Sequence, residues 1–250
     1  MAEACIVMQQ VEQVYGKKQV LSDINLTIEQ GCIYGILGPS GCGKTTLVKA
    51  MAGILEPTAG SVQVLGEAMP NLAVMNRIGY MTQSDALYQN LSGVENLEFF
   101  GVLYGLKKKE LQTAIAHALD LVKLTEAQHN LVSSYSGGMK RRLSLAAAIL
   151  HQPRILILDE PTVGIDPVLR RQIWQALYDM VAHGTTVIVT THVMDEADRC
   201  FQLMMMRDGM VLEAGSPETI KKKYGVGTIE EVFVMLGELH SEICGSIHTC

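Results

Sequence analysis

Gly38-Pro39-Ser40-Gly41-Cys42-Gly43-Lys44-Thr45 is the stretch from which the rest of the chain is read. It fits the pattern Gly-x-x-x-x-Gly-Lys-Ser/Thr in full. Before it, residues 32–37 form an almost purely apolar run, expected to be a strand buried on both faces. After it, residues 46–52 predict a helix ended by Gly53. A chance glycine-rich turn would not need this strand–loop–helix context. The glycines let backbone N–H groups wrap a polyphosphate without Cβ clashes. The helix N-terminus adds partial positive charge. The phosphates are therefore expected on Gly38, Pro39, Ser40, Gly41, Cys42, Gly43, Lys44, Thr45 and Thr46, with the Lys44 charge on the β- and γ-phosphates and the Thr45 hydroxyl on Mg²⁺.

A phosphate loop requires acidic partners, and residues 155–160, Ile-Leu-Ile-Leu-Asp-Glu, supply them. This is an apolar strand ending in two carboxylates. In open parallel sheets chemistry collects at the carboxyl ends of strands. Asp159 is expected to hold Mg²⁺ through its water shell. Glu160, one residue on and facing differently, can polarise an attacking water.

Around these landmarks, residues 6–11 and 21–28 alternate like half-buried strands joined near Gly16 and Lys17. Pro57 to Gly60 is turn chemistry, and residues 61–65 read as a further strand. From 84 to 154 strand signals vanish and helical periodicity dominates. Leu97, Phe100 and Tyr104 share one face; Leu111, Ile115, Ala118 and Leu119 share another. The run Lys107 to Lys109 reads as a solvated turn. Strand–helix alternation then returns, with a strand at 155–158, a helix at 167–182 stopped by Gly184, a strand at 186–190 and a short helix at 194–199. Asp208-Gly209 marks a hairpin between 203–206 and 210–213. Ile229, Val232, Phe233 and Leu236 give a last amphipathic helix, and residues 238–250 read as a short, fraying tail. The expected fold class is α/β, with a parallel-sheet core, an N-terminal antiparallel β subdomain and an inserted helical subdomain. Residues 1–237 are expected to form one domain.

Bulk properties bound the rest. The 250 residues suit one domain with an insertion, and 48% hydrophobic content excludes disorder. The net charge of -6 argues against nucleic acid or an anionic lipid surface as main partner. Cys5, Cys32, Cys42, Cys200, Cys244 and Cys250 form no Cys-x-x-Cys pair and point to reduced, mostly buried thiols. No secretory signal is evident, and no apolar run approaches the ~18 residues of a spanning helix. The chain is expected to be cytosolic, reaching a membrane only through a partner.

The residues between the phosphate loop and the acidic strand end say more. Ser134-Tyr-Ser-Gly-Gly-Met-Lys-Arg-Arg-Leu143 resembles the signature motif of ABC ATPases, usually Leu-Ser-Gly-Gly-Gln. Asp159-Glu-Pro-Thr162 is similar to that family's extended acidic strand end. Val163-Gly-Ile-Asp166 looks like its D-loop, Thr190-Thr-His192 like its switch histidine, and Gly79-Tyr-Met-Thr-Gln83 like its Q-loop. Tyr15 is placed like its adenine-stacking aromatic. The pattern runs in family order from about Ile6 to Gly237. The resemblance implies a P-loop NTPase (RecA-like) core binding ATP and Mg²⁺, with Gln83 joining Thr45 and Asp159 at the metal. It also implies a head-to-tail pair of ATPase subunits. In that pair Ser136, Gly137 and Gly138 close over the γ-phosphate held by the opposite subunit. Ser136 is also simply a good helix cap; His192 could be an ordinary histidine, Tyr15 could pack on the sheet, and Gln83 could be a surface side chain. The catalytic set implied is Glu160, His192 and Lys44.

Met139 stands where the family usually has glutamine and cannot donate its hydrogen bonds. The run through Arg142 is similar to the branch that exports drugs, antibiotics, lipids or polysaccharides, as are residues 164–167 and 229–236. The implied function is an ATPase subunit powering export through separate integral-membrane permease subunits, peripheral on the cytoplasmic face. Residues 84–94 would carry the movement, with Leu87 and Tyr88 either contacting the partner or belonging to the core. Cys42 is an oxidation point or is buried under nucleotide, and Met204 to Met206 are core. Two rival readings are a soluble ABC ATPase serving a non-membrane assembly complex and a P-loop phosphotransferase; the second has no use for the signature or His192.

Overall fold

The apolar alternation of the first thirty residues folds into a long hairpin, β1 (Ala4–Tyr15) and β2 (Lys18–Glu29). The computed structural model describes residues 3–84 and 86–247. The phosphate-loop strand is β3 (Ile33–Leu37), with all five residues buried, followed by α1 (Lys44–Met51). This helix begins two residues before the expected start, so Lys44 and Thr45 form its first turn. β4 (Ala59–Val64) and β5 (Glu67–Ala68) complete an antiparallel sheet of order β2-β1-β4-β5.

Two small elements, α2 (Leu72–Met75) and β6 (Ile78–Met81), precede the insertion and were not expected. Four residues are too short for periodicity to reveal a strand. The insertion holds α3 (Gly93–Leu103), α4 (Lys108–Leu121) and α5 (Gly137–Ile149). Ser92 and Glu95 form a capping box on α3. Lys107 to Lys109 are exposed but open α4 instead of forming a turn, with Glu110 reaching back to the Lys107 N–H at 3.3 Å.

After the insertion come β7 (Ile155–Asp159), α6 (Pro167–Ala182), β8 (Thr186–Thr191), α7 (Met194–Ala197), β9 (Gln202–Arg207) and β10 (Met210–Gly215). The second sheet has the order β10-β9-β3-β8-β7-β6, parallel except for the edge strand β10. Alternate residues of its strands enter different cores. Leu156, Leu158, Val187 and Val189 pack with the insertion and α6, whereas Ile155, Ile157 and Ile188 pack with α1 and the antiparallel sheet. Met204, Met205 and Met206 are fully buried.

The C-terminal region departs from expectation twice. Residues 217–224 form α8 (Pro217–Tyr224), capped by Ser216, with Pro217 in its first turn and Gly225 at φ 68° behind it. Ser216, Pro217 and Gly225 are ordinary start and stop signals for a helix. The last helix, α9 (Ile229–Ile247), runs well past Glu238 instead of fraying there. Residues 248–250 lie outside the described residues, as do the side chains of Cys244 and Cys250. Among the described residues no helix is long and apolar enough to cross a membrane.

Candidate active site at the carboxyl edge of the sheet

Register brings the site together. Leu37 pairs with Thr191, Asp159 with Thr190, and Met81 with Leu158, so β3, β8, β7 and β6 end at one edge. The segments leaving those ends carry the phosphate loop, His192, Glu160 and Gln83. Gly43 caps α1 at φ 107°, and a Cβ there would meet the Val20 carbonyl oxygen at 2.8 Å. At Gly38 a Cβ would lie 2.5 Å from the Met206 carbonyl oxygen. No other residue type fits the loop at these two positions.

Lys44 is 5% exposed. Its Nζ donates to the Gly38 and Pro39 carbonyls at 2.7 and 3.0 Å and lies 3.8 Å from Glu160 Oε1. His192 Nδ1 is 3.2 Å from the same carboxylate oxygen, and Gln83 Nε2 donates to Oε2 at 3.5 Å. Three groups from three separate strand ends therefore converge on Glu160. Asp159 is fully buried. It accepts from the Thr45 hydroxyl at 2.8 Å and the Thr190 hydroxyl at 2.5 Å. A cavity of about 150 Å³ is lined by Val20, Ser40, Gly41, Gly43, Lys44, Thr45, Thr46, Gln83 and Glu160. The chemistry available is anion binding by backbone N–H groups and a lysine, beside a carboxylate able to take a proton from water.

Other residues from the sequence stand apart from this cavity. Tyr15 is 51% exposed at the hairpin end. Ser136 caps α5, its hydroxyl accepting from the Met139 N–H at 3.2 Å, and Gly137 and Gly138 follow it. None of these four residues lines the cavity. Gly138 instead faces the Gly164 carbonyl. Met139 is half-buried against the insertion's core, which accounts for an apolar side chain there. Cys42 is 4% exposed within the protein's own core, so no ligand is needed to cover it; burial raises its pKa and keeps the thiol protonated.

Three site features escaped the sequence reading. Val20 enters from β2. Thr190 binds Asp159, and its hydroxyl also accepts from the Glu160 N–H at 3.0 Å. Arg141 on α5 reaches backbone carbonyls beside Gln83 and Glu160. Nothing local marks these residues, because each acts across a sheet or between subdomains. Behind the site, buried Glu196 accepts from the Thr191 hydroxyl at 2.6 Å and from the Thr162 hydroxyl, tying the chain before His192 to the chain after Glu160.

Residues 21–163 match the ABC transporter family. This chain belongs to the ABC transporter family. It is 37% identical over 246 residues to a daunorubicin resistance ATP-binding protein of Streptomyces coeruleorubidus, covering 97% of this chain and 78% of that protein. It is 40% identical over 233 residues to the Nod factor export ATP-binding protein I of Sinorhizobium fredii, covering 92% and 68%. Among solved structures, the ATP-binding subunit of an ABC transporter superposes with TM-score 0.86 at 24% identity, over 93% of this chain and 99% of that one. A dimeric ATP-binding cassette in a post-hydrolysis state with ADP and Pi superposes with TM-score 0.80 at 25% identity, over 84% and 98%. The expected fold class holds, and the cassette is an ATP-binding ATPase subunit of an ABC transporter.

Proposed function

We propose that this cassette powers export of a drug, antibiotic, lipid or similar compound through separate integral-membrane permease subunits, from the cytoplasmic face. The convergence of Lys44, Gln83 and His192 on the Glu160 carboxylate carries the catalytic reading. The names of the relatives, drug resistance and Nod factor export, support the direction. Residues 1–237 act as one cassette with its insertion at 84–154. Gly38 to Thr46 hold the ATP phosphates, Lys44 leaves the loop carbonyls for the β- and γ-phosphates, and Tyr15 stacks the base.

Thr45 and Gln83 line the cavity, and Thr45 Oγ1 lies 2.8 Å from Asp159 Oδ2 just behind it; these are oxygen donors of the kind Mg²⁺ takes, so the residues fit that ion. When bound, Mg²⁺ supplies charge neutralisation at the phosphates. Glu160 takes the proton of the attacking water, and His192 holds Glu160 and the γ-phosphate in line. Ser136, Gly137 and Gly138 lie outside the cavity and serve the γ-phosphate held by a second cassette in a head-to-tail pair. Tyr88, 45% exposed and edge-on to Phe99 at 4.7 Å, offers the permease an apolar contact. Leu87 is half-buried against the insertion's core and takes the core role.

Glu160→Gln tests this reading. The variant should bind ATP, accumulate as a dimer and turn over roughly 10²–10³-fold more slowly. Normal turnover would remove Glu160 from the mechanism. Complexes captured through the wild-type chain should contain a multi-span membrane protein; a soluble assembly complex in its place would favour the rival reading.

A further inference from the structure

Arg141, on helix α5 of the insertion, is 7% exposed. Its Nη1 donates to the carbonyls of Thr82 and Gln83 at 2.7 and 2.9 Å. Its Nε and Nη2 donate to the Glu160 carbonyl at 3.2 and 2.6 Å, and Nη2 also donates to the Asp159 carbonyl. One planar guanidinium therefore holds four carbonyls on two chain segments, which the Gln83–Glu160 side-chain contact at 3.5 Å and the β6–β7 pairing also join. A guanidinium keeps its donors in a rigid fork, so it fixes relative position as well as adding attraction.

The backbone it holds is a strained one. Glu160 has φ 54°, a region costly for a residue with a Cβ, and it precedes Pro161, whose ring restricts it further. Such a conformation persists only where the surroundings impose it. The Thr190 contacts grip the Glu160 N–H, at 3.0 Å to the hydroxyl and 3.1 Å to the carbonyl. Arg141 grips the Glu160 carbonyl. Arg141 also lies five residues beyond Ser136, about 7.5 Å along the helix axis.

We infer that Arg141 is a positioning residue. It sets the Glu160 carboxylate and the Gln83 segment as one unit, and it couples both to the helix whose N-terminus serves the opposite ATP. A displacement of α5 by the second cassette's nucleotide is thereby felt at this cassette's own catalytic carboxylate. This rests on the proposed roles of Glu160 and Ser136.

Arg142 is the natural control. It too donates to carbonyls, those of Val122 and Lys123 at 3.1 and 3.0 Å and, one turn back on its own helix, Gly138 at 3.4 Å, but these all lie within the insertion and none belongs to the Glu160 or Gln83 segments. ATP turnover of the full chain, measured against ATP concentration, should separate the two arginines. Arg141→Lys keeps the charge but loses the fork. It should lower kcat roughly 10–100-fold with KM changed less than about threefold, since small misplacements at a reacting centre act on rate. Arg142→Lys should leave kcat and KM within about twofold of wild type. In the Glu160→Gln background, Arg141→Lys should lower the remaining rate less than about twofold, because the group it positions is gone. Equal loss in both backgrounds, or a parallel loss of kcat and nucleotide affinity, would overturn the positioning role. Normal turnover of Glu160→Gln alone would instead remove the Glu160 reading on which it rests. Should Arg141→Lys fail to fold, hydrogen exchange of the wild-type chain decides. The amides of 82–84 and those of Glu160 and Thr162 should open together with α5; independent opening of the two segments would sink the inference.

Discussion

At the carboxyl edge of the six-stranded sheet, β3, β7 and β8 are buried along their whole length. In the insertion, α3 buries Leu97 and Gly101 yet leaves Phe99, Val102 and Leu103 at the surface, beside exposed Tyr88. The sheet edge positions its side chains by register, a constraint shared among neighbouring strands. The insertion positions its surface by helix packing and by single side chains. Asn96, fully buried, is one of these: it donates to the Tyr88 and Ser92 carbonyls at 3.0 and 2.9 Å and accepts from the Tyr88 N–H at 2.8 Å. One region is organised to hold atoms still, and the other to present a face.

Substitutions can break that contrast or sharpen it. The largest stability effect should come from Ile157→Ala in the middle of β7, where the cavity cannot collapse between two fixed neighbours. A loss of about 2–5 kcal/mol in chemical denaturation is expected. A loss under about 1 kcal/mol would mean the sheet edge is as adaptable as the insertion.

His151, at the junction of insertion and sheet, stacks on Tyr104 with centroids 3.6 Å apart. Burial pushes its pKa down to about 4. The unfolded chain takes up a proton near pH 6.5, where the folded chain does not. Stability therefore falls as pH drops from the unfolded pKa toward the folded one, and the contribution is fully present above the upper value. His151→Phe keeps the stacking and should flatten that leg. Denaturation midpoints at about pH 7.5 and about pH 5 should differ less in the variant than in wild type. An unchanged difference would place the pH sensitivity elsewhere.

The smallest effect on the isolated chain should be that of Tyr88→Ser, within about 0.5 kcal/mol of wild type in stability and unchanged in ATP turnover. Its loss should appear only in recovery of the membrane partner. A fall in turnover of the isolated chain would tie this face to the site itself.

Much of this was legible in the chain. The phosphate loop announced its strand and helix, and α6 runs from Pro167 to Ala182 as expected because Asp166, Pro167 and Gly184 are strong local signals. β6 was missed because four residues carry no period. The reach of α9 is hard to see because Gly237, His240, Ser241 and Glu242 interrupt the apolar spacing that Leu239, Ile243 and Ile247 continue, and α8 because its lysine-rich run carries little apolar period. Arg141 was invisible: an arginine in an amphipathic helix looks the same whether it faces water or four carbonyls.

What the sequence determined by itself was therefore local: the phosphate loop, the acidic strand end, and the order in which the family's motifs appear. The tertiary structure decided which of these meet. Strand order β3-β8-β7-β6 sets Glu160 beside His192, 32 residues away, and Gln83, 77 residues away. Parallel pairing is non-local, so no window of sequence contains it. Only the packed sheet, with α5 laid against its edge, brings Arg141 to the backbone of the residue it positions.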